Sequence, residues 1–431
     1  MTINKLPIPF LKKVMASGDA AGLVKNFISL SVVQGLNYIL PLITVPYITR
    51  VLGVANFGTV NIAAAIMTYF SIFTDYGFNL SATRDISINR EDHEKVSLIF
   101  SSVLAIKAVL SLIGFIVLAA VVFSIEVLRV DFSVYLISYG IVFGNVLFPI
   151  WYFQGIEKMK YITYLNIICR GIITVLIFIL VKNRGHINIY VGLNSISSLA
   201  IGLISLGLVL SRFKVRLRKP DMTSIKTQVV EGWYVFVSSL SIVAYTSSTT
   251  ILLGFIVSKD AAGYYSGADK IRVAVQGLIT PLFQTVYPYV NKLAKESAAK
   301  VISFIRKELV IFSTIGIFGS LLILLKADFL VNIFAGKDYH KSVDVLKVLA
   351  FAPLLVLIGN IVTVQGMLSL GFKKEYSRIY MITSVVGIVT MVLFIYLLGV
   401  MGAAYSVLLI EVLVVALTLF YLKKRGVSLL K

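Results

Sequence analysis

Apolar runs of about twenty residues, separated by short polar stretches, fill the chain from residue 26 to residue 421. A helix needs about 20 apolar residues to cross the hydrocarbon core of a bilayer. Twelve runs fit, near 26–49, 57–80, 96–123, 132–154, 161–181, 189–211, 232–254, 262–290, 306–325, 345–369, 377–399 and 402–421. The pattern predicts an all-α integral membrane protein with twelve transmembrane helices. No extended alternation of apolar and polar positions competes with these runs, which argues against a β-barrel. Residues 1–25 are mixed and basic, without the compact apolar core of a cleavable signal, and Leu11 to Val24 reads as a short interfacial helix.

The polar stretches between the runs orient the chain. With the N-terminus inside, and with bases at the edges of runs counted with the adjoining loops, inner loops hold 27 Lys and Arg residues, outer loops hold 9, and four lie well within runs. That bias predicts cytoplasmic termini. The most basic stretch, SRFKVRLRKPDMTSIK (Ser211 to Lys226), lies at mid-chain and reads as a lipid-surface linker between two halves. The expected organisation is a segment 1–25, a first six-helix half 26–211, a linker 212–231, a second half 232–421 and a basic tail 422–431. The halves echo each other. LGVANFG after run one and LGFIVSKDAAG after run seven both read Leu-Gly, a turn, then Gly before small and polar residues. In both, an Ala (Ala63 and Ala268) follows the second Gly by five, and LLGVMGAAYS repeats the theme before run twelve. Internal repeats of this kind are common in transporters.

Composition narrows the function. The chain is 58% hydrophobic and 14% charged, far from the balance of soluble domains. Its net charge of +20 is largely accounted for by the loop bias. The basic residues are scattered between apolar runs, so nucleic acid is not an expected partner. One cysteine, Cys169, allows no internal disulfide, and His93, His186 and His340 form no metal set at a recognised spacing. No cofactor is expected. All loops are short, the longest outer one near Lys326 to Asp344, leaving no room for a catalytic domain. A transporter is expected over a membrane enzyme. A cation-expelling drug antiporter would want an acidic interior, whereas the runs hold the bases Lys107, Arg170, Lys270 and Arg272.

Charges within runs are costly and commonly face a bundle interior or a wet cavity. In run eight, Tyr265, Asp269, Arg272 and Gln276 share one helical stripe, and Asp269 precedes Arg272 by a spacing that allows a pair. Lys270 stands about 100° off that stripe. Run seven repeats Tyr234, Ser238, Ser241, Tyr245 and Ser248 at helical spacing. Run one does so with Gln34, Asn37, Pro41 and Thr44, and Pro41 and Pro46 are expected to bend it. Run two carries Asp75 and leads to Asn79 and Arg84. Glu411, in run twelve, is a candidate partner for a buried base. Asp75 and Asp269 are candidates for coupling transport to H+ or Na+.

Three stretches together carry a resemblance. PLITVPYITRVLGVANFG (41–58), YFSIFTDYGFNLSATRDISINR (69–90) and GYYSGADKIRVAVQGLITPLFQTVYPYV (263–290) resemble bacterial polysaccharide or O-antigen flippases of the Wzx type. These belong to the multidrug/oligosaccharidyl-lipid/polysaccharide exporter superfamily. The resemblance implies two six-helix lobes around a central cavity that opens to one side at a time. It implies an oligosaccharide repeat unit on undecaprenyl pyrophosphate, moved from the cytoplasmic to the periplasmic leaflet of the inner membrane. A polysaccharide polymerase and a chain-length regulator would be its protein partners. The headgroup role would fall on Lys270 and Arg272, with Lys107, Arg170 and Arg84 as further candidates. Gln34, Asn37, Tyr245, Gln276 and Gln284 would meet the sugar. Family members commonly have Glu at the position of Asp269 and place the Arg one residue after 272.

Overall fold

The computed structural model describes residues 20–213, 215–220 and 222–429. The expected interfacial helix over Leu11–Val24 lies mostly outside the described residues. Among the described residues the regular structure is helical. The first half comprises α1 (Ala20–Asp75), α2 (Phe78–Ile88), α3 (His93–Ser124), α4 (Glu126–Arg129), α5 (Phe132–Ser138), α6 (Gly140–Leu147), α7 (Ile150–Gly155), α8 (Lys160–Leu180) and α9 (Ile187–Ser211). The second half comprises α10 (Met222–Thr246), α11 (Ser248–Ile256), α12 (Lys259–Glu296), α13 (Ala298–Leu325), α14 (Ala327–Phe334), α15 (His340–Leu349), α16 (Ala352–Asn360) and α17 (Lys373–Lys424). A π-helical segment, Ile361–Leu368, continues α16.

Helix is the backbone state that satisfies its own polar groups without water. Among the described residues, eight helical stretches are long and apolar enough to cross a membrane. Side-chain caps set several starts. The Asp92 carboxylate accepts from the amides of Glu94 and Lys95, at 3.1 and 3.0 Å, and opens α3. Ser258 and Ser297 do the same for α12 and α13. Along α8, Tyr164, Ile168, Ile172, Val175 and Ile179 are exposed on one side, the stripe expected to face lipid.

Two helices exceed one crossing. The 52 residues of α17 would reach about 78 Å if straight. They do not run straight, because Gly399 has φ 57° and ψ −131°, dihedrals that suit glycine. The two sides then fold onto each other. A Cβ on Gly387 would lie 2.9 Å from Ile410 Cδ1, and one on Gly402 only 1.8 Å from the Phe394 carbonyl oxygen. In α1 the residue with non-helical dihedrals is Gly53, while Pro41 and Pro46 sit inside the helix before it. The Gly53 break falls between expected runs, and Gly399 is the last residue of the run 377–399.

The repeated glycines meet. A Cβ on Gly58 would lie 1.9 Å from the Lys259 carbonyl oxygen, and one on Gly263 2.3 Å from that of Val54. Backbone therefore packs directly on backbone between α1 and α12, and Ala63 and Ala268 are fully buried nearby.

The apolar core has a different shape at each end. At the Gly53 end one cluster draws on both halves, joining Leu52, Phe57, Tyr139 and Val191 to Leu253, Tyr265, Tyr339 and Ala403. Toward the mid-chain linker it divides. One cluster holds Phe78, Phe100, Trp151, Phe153 and Val209 of the first half. The other holds Val290, Val301, Ile305, Ile361 and Leu422 of the second. Helix α10, from the second half, packs on the first-half cluster at this end: Ile225 and Val229 lie against it, and Phe236 stacks on Tyr76 with ring centroids 5.0 Å apart.

Candidate functional site

The charged residues of the apolar runs sort into pairs. In the second half, Arg272 on α12 donates from Nε to Asp269 Oδ1 at 2.7 Å and from Nη1 to Gln276 Oε1 at 2.9 Å. The side chains of Arg272 and Asp269 are 16% and 24% exposed. The expected stripe is thus assembled one turn at a time along a single helix face. Tyr265, one turn earlier, is buried. Glu411 on α17, considered from sequence as an acidic partner, is half-buried and makes no ion pair among the described residues.

The first half has its own pair. Lys107 Nζ on α3 lies 3.3 Å from Asp75 Oδ1 at the end of α1. Lys107 is 4% exposed and Asp75 24%. A lysine so enclosed is tolerated because a carboxylate and its hydrogen bond replace water. Nothing in linear spacing indicated this partnership, since 32 residues separate the two.

Two other bases stand apart. Arg170 on α8 is exposed and, among the described residues, makes no ion pair. At about 100° per residue, it points roughly 160° away from the exposed apolar stripe of its helix. It therefore faces the interior side of α8. Lys270 is also exposed, makes no ion pair among the described residues, and leaves α12 on a different side from Arg272. Arg84 lies elsewhere. It is exposed at the linker end, 2.9 Å from Asp85 and paired with Glu231 of α10. Gln228 Nε2 donates to Asp85 Oδ2 at 2.9 Å in the same cluster. The side chains of Gln34, Asn37, Tyr234, Tyr245 and Gln284 lie outside the described residues.

At the Gly53 end, polar contacts reinforce the shared core. Lys259 Nζ reaches Asp131 Oδ2 at 2.6 Å, joining the second half to the first. Arg50 donates to the carbonyl oxygens of Asn332 and Ile333, at 3.2 and 2.6 Å. Thr49 donates to the Phe334 carbonyl at 3.3 Å. A cavity of about 590 Å³ opens there among Asn56, Arg184, Asp260, Tyr264, Lys337 and His340. None of the headgroup, sugar or ion-coupling candidates named from sequence lines it, though residues of the LGVANFG repeat and His340 do. The search of runs also passed over Glu308 on α13, which is buried and accepts from Gln365 Nε2 at 2.9 Å. The available signal was an acid at the edge of an apolar run, but adjacent Arg306 and Lys307 gave that edge the look of an interfacial end.

Comparison with known proteins places this architecture. An Escherichia coli (strain K12) protein is 34% identical over 401 residues, covering 93% of this chain and 97% of its own. A Shigella dysenteriae protein is 30% identical over 399 residues, covering 93% and 99%. Both are named as O-antigen transporters. Among solved structures, an inward-facing multidrug resistance MATE family transporter of the MOP superfamily superposes with a TM-score of 0.67 at 15% identity, covering 90% of this chain and 98% of its own. An outward-facing structure of a MATE family transporter gives 0.54 at 14% identity, covering 96% and 97%. These structural likenesses establish a MATE-like transporter fold. The polysaccharide biosynthesis protein family matches residues 23–294. With that match and relatives aligned over nearly their whole length, the chain belongs to the polysaccharide biosynthesis protein family.

Proposed function

We propose that this chain is a flippase that moves an undecaprenyl-pyrophosphate-linked oligosaccharide repeat unit from the cytoplasmic to the periplasmic leaflet of the bacterial inner membrane. The relatives named as O-antigen transporters support a lipid-linked saccharide as cargo. The observation that carries the mechanism is the Arg272–Asp269–Gln276 cluster midway along α12. A pyrophosphate crossing a bilayer needs its charge met along the way. Guanidinium binds phosphate oxygens through parallel hydrogen bonds, and lysine offers a mobile point charge. Arg170 and Lys270 meet the headgroup first, because neither has to give up an ion-pair partner. Arg272 then exchanges Asp269 for phosphate.

The reading has twelve crossings, six in each half, with the linker end cytoplasmic by the basic bias of its loops. The shared core and the Lys259–Asp131 contact then close the periplasmic end, while at the cytoplasmic end the cores are divided and the α10 contacts Arg84–Glu231, Asp85–Gln228 and Tyr76–Phe236 must part for the halves to separate. Transport proceeds by alternating access and draws on an H+ or Na+ gradient. A polysaccharide polymerase and a chain-length regulator take up the product. A drug-antiporter reading is less well supported, because Asp75 and Asp269 already neutralise Lys107 and Arg272.

The test uses proteoliposomes carrying a fluorescent lipid-pyrophosphate oligosaccharide, with leaflet-to-leaflet movement followed by quenching. Movement should require the protein and fall at least tenfold in Arg272→Ala. Wild-type movement in a folded Arg272→Ala protein would remove Arg272 from the headgroup path. No movement of any lipid-linked saccharide by folded wild type would overturn the flippase reading.

A further inference from the structure

The buried acid that the headgroup site does not use is Glu308. Its residue is 4% exposed, and that of Gln365 is 1% exposed. Gln365 belongs to the π-helical segment Ile361–Leu368. Single π-turns inside longer helices recur at functional sites, because they displace a side chain from the regular face.

Gln365 Nε2 donates to Glu308 Oε1 at 2.9 Å. Both remaining oxygens, Glu308 Oε2 and Gln365 Oε1, are buried without a hydrogen-bond partner. Each is an acceptor, so neither satisfies the other while the carboxyl is ionised. One donor is missing, and a proton on Oε2 supplies it. A protonated carboxyl and a primary amide can close two parallel hydrogen bonds, which would satisfy both orphans at once.

The surroundings favour the same state. Glu308 lies against the apolar cluster of Ile305, Ile361 and Met367. Among the described residues no base forms an ion pair with Glu308, and Arg378 on α17 is exposed. Residues 352–368 contain no charged side chain. On its own helix, Arg306 donates to the Ser428 carbonyl at 2.6 Å, Lys307 is exposed, and Lys300 pairs with Glu296 of α12. Lys292 and Lys295 of α12 are exposed, and Tyr289 packs on Phe304. On α15, Lys347 pairs with Asp344, and at the ends of α17 Arg425 pairs with Glu375. An isolated carboxylate at Glu308 would be strongly disfavoured.

We propose that Glu308, paired with Gln365, is a proton-binding site that couples opening of the second half to transport. With the proton in place the pair is neutral and α13 stays closed on the π-helical segment. Loss of the proton leaves a carboxylate that needs water, and water reaches it only if these helices part. Proton release is thereby tied to a rearrangement at the cytoplasmic side of this half. The coupling part of this inference rests on the flippase reading; the proton site does not.

Two measurements test it on the full chain. Infrared difference spectroscopy on the purified protein reads the carbonyl stretch of a protonated carboxyl directly. A band should be present at neutral pH, disappear as pH rises, and be missing in Glu308→Gln, which keeps the shape and the amide contact. Gln365→Leu, which removes the partner but keeps the acid, should shift that band. No difference in this region between wild type and Glu308→Gln at neutral pH would show an ionised Glu308 and overturn the site. In proteoliposomes, an imposed pH gradient should speed movement of the lipid-linked saccharide in wild type, and Glu308→Gln should lose that acceleration. Retained acceleration in Glu308→Gln would overturn the coupling role. Acceleration by a Na+ gradient at fixed pH, abolished in the same variant, would overturn the proton in favour of a metal cation. Absence of any movement by wild type would count against the flippase reading and the coupling, while the infrared result would still decide the proton site.

Discussion

Gly58→Ala is a small change with a large expected effect. The new methyl would sit 1.9 Å from the Lys259 carbonyl oxygen. A relaxed carbon–oxygen contact is about 3.3 Å, so α1 and α12 must separate locally by roughly 1.4 Å. The obstacle is backbone in the first turn of a capped helix, and no flexible side chain can move aside. Gaps of about 0.5–1 Å already forfeit a quarter to a half of the dispersion attraction across a contact. Overpacking of this kind costs about 1–3 kcal/mol. The penalty falls on the conformation closed at the Gly53 end, because that is where the contact exists. A shift of about 1–3 kcal/mol changes a two-state ratio by roughly 5- to 150-fold. The assay is a pair of spin labels at Glu126→Cys and Asp328→Cys, both exposed, one in each half, in a Cys169→Ser background. Gly58→Ala should move the distance distribution toward longer separations. Gly171→Ala, where an added Cβ meets nothing within 4 Å, should leave it unchanged. An unchanged distribution in a folded Gly58→Ala protein would refute the backbone contact as the closing element.

Three further outcomes are expected. Lys259→Ala should loosen the same end less, because its pair with Asp131 is about a quarter exposed and such pairs contribute about 0.2–1 kcal/mol; the charge swap Asp131→Lys with Lys259→Asp should restore the wild-type spin-label distances, and failure to restore them would deny the pair a latching role. Arg170→Ala should lower binding of lipid pyrophosphate while the melting temperature barely moves, since exposed side chains without partners change stability within about 0.5 kcal/mol; a large loss of stability with normal binding would mean a structural role instead. Gly399→Ala should destabilise the hairpin of α17 by about 1–3 kcal/mol, the cost of forcing a side chain into dihedrals that disfavour it, read as a lower midpoint of thermal unfolding in detergent.

Much of the architecture was legible because membrane insertion writes simple rules into a chain. Apolar length marked the long helices, and the breaks came at Gly53, between two runs, and at Gly399, the last residue of a run that a glycine-rich stretch separates from the next. The Asp269–Arg272 pair was legible because both partners lie on one helix, where a spacing of three fixes their separation. Pairings between helices were not. Lys107 with Asp75 and Lys259 with Asp131 depend on which helices become neighbours, which periodicity does not report. Arg84 shows the same gap from the other side: its carboxylate partner on α10 keeps it at the linker end rather than in the interior. Glu308 escaped notice because its neighbours in sequence are bases, whereas its neighbour in space is a glutamine on a π-turn that no propensity pattern marks.

The pairing of interior bases with acids has an electrical consequence. A carrier must reset after each delivery, returning empty across the same field. Moving one elementary charge through the full membrane potential costs about 2.3 kcal/mol per 100 mV. Lys107 with Asp75 and Arg272 with Asp269 are each neutral as pairs, so neither adds to that cost on the return stroke. When a headgroup takes the place of Asp269, the freed carboxylate and the anionic cargo together break the neutrality. Voltage would then act through these two pairs on the loaded carrier alone, while in the empty one it can act only through bases such as Arg170 and Lys270 that have no carboxylate partner among the described residues.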